Sequence, residues 1–510
     1  MKKRIKLIGG LVLAAVILLG VSLYIYIKNT APPGEEWIAY DNDQVLRSID
    51  KQLQGIDVKT LAETKEGLVL EKNISQIQKA VKSGDISYEE LMAIYLNRMK
   101  EFDQQEHGWN SVITVNPKAM EEAKAADAAR KAGGEKASAL YGIPIMLKDN
   151  INTAGMAASA GAAAFADYVP EEDADIVKAL KKQGAIILGK NNLSEFANYV
   201  SSVMPSGYSG RKGQTVNPFN PLKQSPSGSS SGSAVAVTGN LVPASIGTET
   251  SGSIAGPAAA NCVVGFKPSR DSVSSEGIFP LIKKIDTAGP IAKTVEDVAV
   301  VYNAISGQNI SLGDEDTLQG KTIGLFMYEY NDQDRLQRLA DQLSDMGAKV
   351  VLLDPDEKGI LVNNLISCSF KKDFEDFAAE YDLPIQKLDD LLKFNRDNPE
   401  RRIKYGQDLL EEANGMKRAD LTQIDDSIRK GRALLDSYLK KQAMDAIVFL
   451  NTSGSETAAA AGYPELSVPF ERDKKGVFYS ATFVTGSGED QKALEIGLCF
   501  EKNVKGRVVP

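Results

Sequence analysis

The chain has 510 residues, 25% of them charged, a net charge of −9, and only one histidine and three cysteines. With no dense basic stretch beyond its first residues, it is not expected to bind nucleic acid. The lone His107 and the scattered Cys262, Cys368 and Cys499 offer neither metal-ligand spacing nor a disulfide framework, so no metal and no cofactor is expected.

Residues 2–6 are basic, and Leu7 to Ile27 follow as 21 residues without a charge. At about 1.5 Å per residue, that run reaches the ~30 Å of a bilayer core. A cleaved signal peptide would have a shorter apolar region. The expectation is a single-pass signal anchor over 7–28 in the cell membrane. Its basic tail, 1–6, stays inside, and the rest of the chain lies outside the cytoplasm. Pro32, Pro33 and Gly34 break the apolar helix. Residues 29–75, polar and mixed in charge, read as a stalk with short helices.

From about Gln76 the pattern is globular. Ser87-x-x-Glu90 is a capping box, with Ile86 and Leu91 placed as a hydrophobic staple. Leu91, Ile94, Tyr95 and Met99 follow at helical spacing and read as core. Gly142-Ile-Pro-Ile-Met-Leu-Lys148 is an apolar strand that ends on a lysine, before Asp149 and Asn150. In a dry pocket such a lysine loses its proton near neutral pH and can act as a base; at a solvated strand end it is an ordinary surface cation. Asp173 to Gln183 is helical, Gly184 stops it, and Ala185 to Leu188 is a buried strand. Asp334 to Met346, Gly347 and Lys349 to Leu353 repeat that design. Gly320 to Phe326 and Asp445 to Leu450 add strands, giving the parts of an α/β sheet.

Between the two units lie Ser-Pro-Ser-Gly-Ser-Ser-Ser-Gly-Ser at 225–233 and Gly-Thr-Glu-Thr-Ser-Gly-Ser-Ile at 247–254. A flexible linker has this composition. A linker would not run straight into the apolar Ala234 to Val237, nor be answered by a second Gly/Ser turn. A serine on a tight glycine turn can be an exposed nucleophile, with backbone N–H groups nearby to hold an oxyanion. A Ser-His-Asp triad would have to use His107, which sits in what reads as a surface loop. Cys262, in the apolar run after the second turn, reads as core. Residues 355–440 are charged and helical.

Taken together, Gly142 to Asn150, the Ser/Gly run at 227–233 and Gly247 to Ser253 resemble the amidase signature family, over roughly residues 76–502. The resemblance implies an amidase signature fold, a mixed, mostly parallel β-sheet core flanked by helices, in one large domain over 76–510. It implies a catalytic set of Ser253 as nucleophile, Ser229 with a cis peptide bond, and Lys148. It places the oxyanion hole on the backbone of Thr250, Ser251, Gly252 and Ser253. It further implies an amidohydrolase that cleaves carboxylic or peptide amide C–N bonds through an acyl-enzyme, and it leaves room for a homodimer. Gly247 to Thr250, Phe394 to Glu400 and Tyr405 to Ala413 resemble the peptide-amidase-like branch, and Ala461 to Pro469 also resembles the family. Many members place Asp at Glu249 and Arg at Ala255. The missing arginine argues against small diacid amides, which need a cation. Ser251 stands where the family more often has Gly or Asp, at a position that acts through its backbone.

Two other readings share these motifs. One is the glutamine-hydrolysing component of an amidotransferase, its A-like subunit, a cytosolic role that the run at 7–27 opposes. The other is a non-catalytic surface binding protein on an amidase scaffold, which retention of Lys148, Ser229 and Ser253 opposes.

Overall fold

The computed structural model describes residues 33–134, 138–416 and 421–510. In chain order the strands are β1 (Val112–Val115), β2 (Pro144–Lys148), β3 (Ile186–Asn191), β4 (Tyr208–Ser209), β5 (Gly213–Gln214), β6 (Ala244–Glu249) and β7 (Val264–Lys267). They continue with β8 (Thr287–Ala292), β9 (Thr322–Phe326), β10 (Lys349–Leu353), β11 (Ala446–Leu450), β12 (Glu465–Arg472) and β13 (Phe478–Val484). Eleven strands form one sheet in the order β1-β3-β2-β6-β8-β7-β12-β13-β11-β9-β10, and β4 and β5 pair separately.

The sheet is mixed. Parallel pairing runs through β3-β2-β6 and through β11-β9-β10. The centre, from β6 to β11, and the β1 edge are antiparallel, so the expected parallel pairing is confined to the two runs β3-β2-β6 and β11-β9-β10. The parallel strands β2, β3 and β6 are buried along their whole length. That explains why the sequence there reads as continuous apolar runs rather than alternating ones. At the β10 edge, Lys349 and Leu352 are exposed.

The punctuation read from the sequence is in place. Ser87 and Glu90 form a reciprocal capping box at the start of helix Tyr88–Arg98. Helix Asp175–Lys182 ends before Gly184, whose φ of 84° is left-handed and cheap for glycine. Helix Gln333–Asp345 ends likewise before Gly347. Helices over 366–380, 388–396, 408–415 and 422–439 occupy the charged segment. The first of these packs Phe370, Phe374 and Phe377 with Phe165, Phe196 and Phe279 into a separate aromatic cluster.

The expected stalk needs correction. Helix Asn42–Leu53 puts Val45, Ile49 and Leu53 on one stripe, and helix Val58–Lys65 adds Leu61, all inside the main core. Burial of each such side chain contributes about 1.5–3 kcal/mol. Residues 38–40 lie along the β5 edge, with Gln214 N–H donating to Ile38 O at 2.8 Å and Tyr40 N–H to Lys212 O at 2.9 Å. The body therefore begins well before Gln76. The polar composition of 42–65 hides a four-residue apolar period. Among the described residues no helix is long and apolar enough to cross a membrane. The expected anchor at 7–27 lies outside them.

Candidate active site

Lys148 is the last residue of β2 and is fully buried. Its Nζ lies 2.8 Å from Ser229 Oγ, 2.8 Å from Thr248 Oγ1 and 3.2 Å from Thr248 O. The strand thus ends in a dry polar pocket rather than in solvent. Burial lowers the Lys148 pKa to about 7, against the opposing pull of the Asp286 and Glu249 carboxylates. Near neutral pH a substantial share of this amine is uncharged and can accept a proton from Ser229. Its neighbour Asp149 is committed elsewhere: it accepts from the Ser159 N–H and hydroxyl and lies 3.4 Å from Arg211.

Ser229 follows a cis peptide bond from Gly228 and is fully buried. Its carbonyl accepts from Ser194 N–H at 3.1 Å. A Cβ on Gly228 would meet Ser194 Oγ at 2.4 Å, so a larger residue there would have to displace the Ser194 side chain. Next in the chain, Ser230 donates its N–H to Ser253 O at 3.2 Å and its hydroxyl to Thr248 O at 3.1 Å. The two Gly/Ser turns, well separated in sequence, are clamped together there.

Behind Ser229 runs helix Ser231–Thr238, buried at every residue. A Cβ on Gly232 would meet Asn192 O at 2.4 Å and Ser111 O at 2.5 Å, both backbone atoms. Gly232→Ala is therefore expected to destabilise the fold by about 1–3 kcal/mol, the usual cost of overpacking. Urea unfolding would measure this, and an unchanged midpoint would show that the helix can shift freely.

Ser253 is nearly buried, at 9% exposure. The N–H groups of Thr250, Ser251, Gly252 and Ser253 donate to no protein acceptor among the described residues. Gly252 has φ 77°, a left-handed turn that favours glycine. Glu249 braces the far side, its Oε2 accepting from Ile254 N–H at 2.6 Å and Ala255 N–H at 3.0 Å. Thr250 donates its hydroxyl to Asp286 Oδ1 at 2.5 Å, and Asp286 Oδ2 accepts from Leu281 and Ile282 N–H. Burial pushes Asp286 up to about 7.

The structure thus gathers Lys148, Ser229, Ser253 and the turn 250–253 at one place. His107 is elsewhere, exposed and with its ring against Trp37. Thr248, Asn150 and Asp286 join the site, although the sequence pattern assigns them no role. Asn150 donates to Thr248 Oγ1 at 3.1 Å and Phe279 O at 3.2 Å, linking the pocket to the aromatic cluster. Thr248 lies inside the turn motif 247–254 and Asn150 closes the motif 142–150, so both could be found there. Asp286 carries no such signal.

Such a set, serine hydroxyls next to a lysine that can be neutral and a turn of free N–H groups, suits acyl transfer. Comparison with known proteins agrees. The family profile described as amidase matches residues 90–414. A crystal structure of an amidase family protein from Bacillus anthracis str. Ames superposes with TM-score 0.89 at 38% identity, covering 94% of this chain and 100% of that one. The native peptide amidase from Stenotrophomonas maltophilia superposes with TM-score 0.80 at 34% identity, covering 86% and 98%. A probable amidase from Arabidopsis thaliana is 32% identical over 85% of this chain and 90% of its own length. The A-type subunit of the Bdellovibrio bacteriovorus glutamyl-tRNA(Gln) amidotransferase is 28% identical over 85% and 98%. With its profile match spanning more than half of the sequence and its fold shared along nearly the whole length, the chain belongs to the amidase family and is an amide-hydrolysing enzyme.

Proposed function

We propose that this protein hydrolyses carboxylic or peptide amides through a serine acyl-enzyme, with Ser253, Ser229 and Lys148 as the catalytic set. The observation that carries this reading is the buried Lys148 Nζ at 2.8 Å from Ser229 Oγ. Neutral Lys148 accepts the Ser229 hydroxyl proton as Ser229 takes the proton of Ser253. Ser253 Oγ attacks the amide carbonyl, and the carbonyl π electrons move onto oxygen, facing the N–H groups of 250–253. As the C–N bond breaks, protonated Lys148 returns its proton through Ser229 to the leaving amine. Water then attacks the ester by the same relay and frees the acid.

A serine-directed fluorophosphonate tests the assignment. It should form a covalent adduct, and peptide mapping should place that adduct on Ser253. An adduct on another serine, or none with intact protein, would remove the reading. The peptide amidase among the structural neighbours favours peptide amides as substrates. Comparing turnover of peptide amides, aryl amides and fatty amides decides among them. Glutaminase activity that appears only with added tRNA and partner subunits would instead favour the amidotransferase reading.

We further propose the anchored topology, with 7–27 in the cell membrane and the catalytic body outside. It rests on the uncharged run and its basic flank. Protease added to intact cells should digest the body. A body that resists until lysis would reverse the orientation.

A further inference from the structure

A buried cluster of ionisable groups lies directly behind the nucleophile turn, and the acyl-transfer scheme leaves it unused. Glu249, the last residue of β6, is 1% exposed. Through Oε2 it holds the N–H groups of Ile254 and Ala255, the two residues that follow Ser253. Glu465, the first residue of β12, is fully buried, and its Oε1 accepts the hydroxyl of Ser455. The remaining oxygens, Glu249 Oε1 and Glu465 Oε2, are buried and find no donor among the described residues. Yet the two side chains are within hydrogen-bonding reach of each other. Two carboxylates cannot hydrogen-bond, because each only accepts; one proton between them satisfies both orphaned oxygens. Lys267 stands directly opposite Glu465 across the β7–β12 pairing and donates to Tyr463 O at 2.5 Å.

We propose that Glu465 is a positioning residue: as a carboxylic acid it donates to Glu249, and so fixes the carboxylate that braces the turn bearing Ser253 and the oxyanion N–H groups. When that proton leaves, two buried negative charges face each other and the brace loosens. This inference rests on Ser253 as the nucleophile.

Burial is the main cause that pushes Glu465 up, to about 8, and the Glu249 charge adds to it while Lys267 opposes. The other charged or titratable neighbours are Arg270 and Asp490 around Lys267, Tyr328 beside Glu465, and Lys148 near Glu249. The proton is therefore in place below about pH 8 and lost above it. Lys148 must be neutral, which requires a pH above about 7. The two together predict a bell-shaped profile whose falling limb belongs to Glu465.

The experiment follows kcat, KM and fluorophosphonate labelling of the full chain across pH, in wild type, Glu465→Gln and Glu465→Leu. Wild type should show a falling limb near pH 8. Glu465→Leu, with no donor, should lose about 10²-fold in kcat at every pH, the scale of a small misplacement of reacting groups, with little change in KM. Glu465→Gln keeps an N–H donor that does not titrate. It should recover most of the kcat lost in Glu465→Leu and should lack the falling limb. Persistence of that limb in Glu465→Gln, or wild-type kcat in Glu465→Leu, overturns the proposal. If neither variant folds, the wild-type profile still decides: labelling that stays flat through about pH 9 with the fold intact overturns it. Failure of the nucleophile assignment is distinct, since Ser253→Ala would then still be labelled.

Discussion

Ser253→Ala is expected to lose amide turnover on the order of 10⁶-fold, the scale seen when a serine hydrolase loses its nucleophile. It should also lose all fluorophosphonate labelling. The fold should survive. Ser253 is tied to the rest of the site through its carbonyl, which accepts from Ser230 N–H, and through the Glu249 contacts to Ile254 and Ala255. None of these uses the Ser253 hydroxyl. Circular dichroism and thermal unfolding should therefore match wild type within about 1 kcal/mol. Retained labelling would move the nucleophile to another serine of the cluster. A collapsed fold would show that the hydroxyl is structural.

Lys148→Ala should lose amide turnover almost as severely, because proton abstraction and leaving-group protonation fail together. Each proton-transfer role contributes about 10²–10⁴-fold. The loss should be smaller on an ester, whose leaving group needs less acid assistance. Lys148→Arg should not rescue: a guanidinium stays charged and cannot accept a proton. The sign of the pH dependence follows from burial. Desolvation disfavours the ammonium and brings Lys148 to about 7, so the active, neutral form builds up as pH rises through that value. Wild-type amide hydrolysis should rise on a limb near pH 7 that both variants lack. Near wild-type activity in Lys148→Arg, or an unchanged limb in either variant, would make Lys148 structural.

The candidate set of Lys148, Ser229 and Ser253 comes from the sequence by family resemblance, carried by short local motifs, since an apolar strand that ends on a lysine is by itself also an ordinary surface strand end. The turn 247–254 and the run 225–233 each carry their own glycines, and β2 announces itself as an apolar run ending on a charge. Helix and strand limits around Gly184 and Gly347 are readable for a similar local reason. Glu465 and Lys267 are not readable as part of the site. Both lie outside the turn motif, Glu465 far along the chain, and only the β7–β12 pairing brings them beneath it. Each does leave a trace, a charge at the end of an apolar strand, but nothing in sequence says which charges face one another. Asp286 reaches Thr250 through a loop whose path the sequence does not encode in any short pattern. The helices over 42–65 resemble a solvated segment because their few apolar residues are scattered among many charges. Their burial depends on a partner surface that includes helix Tyr88–Arg98 and β1.

That docking changes the geometry of the proposed membrane attachment. A long stalk over 29–75 could carry a catalytic body far into the surroundings. Instead the chain is held against the body from Ile38, and the apolar run ends at Ile27. The roughly ten residues between them can span at most about 40 Å when fully extended. Under the proposed attachment, so short a tether would hold the enzyme in a thin shell next to the lipid surface. Its encounters would then be with amides that are released, exposed or concentrated at that surface, and much less with those diluted in the medium beyond.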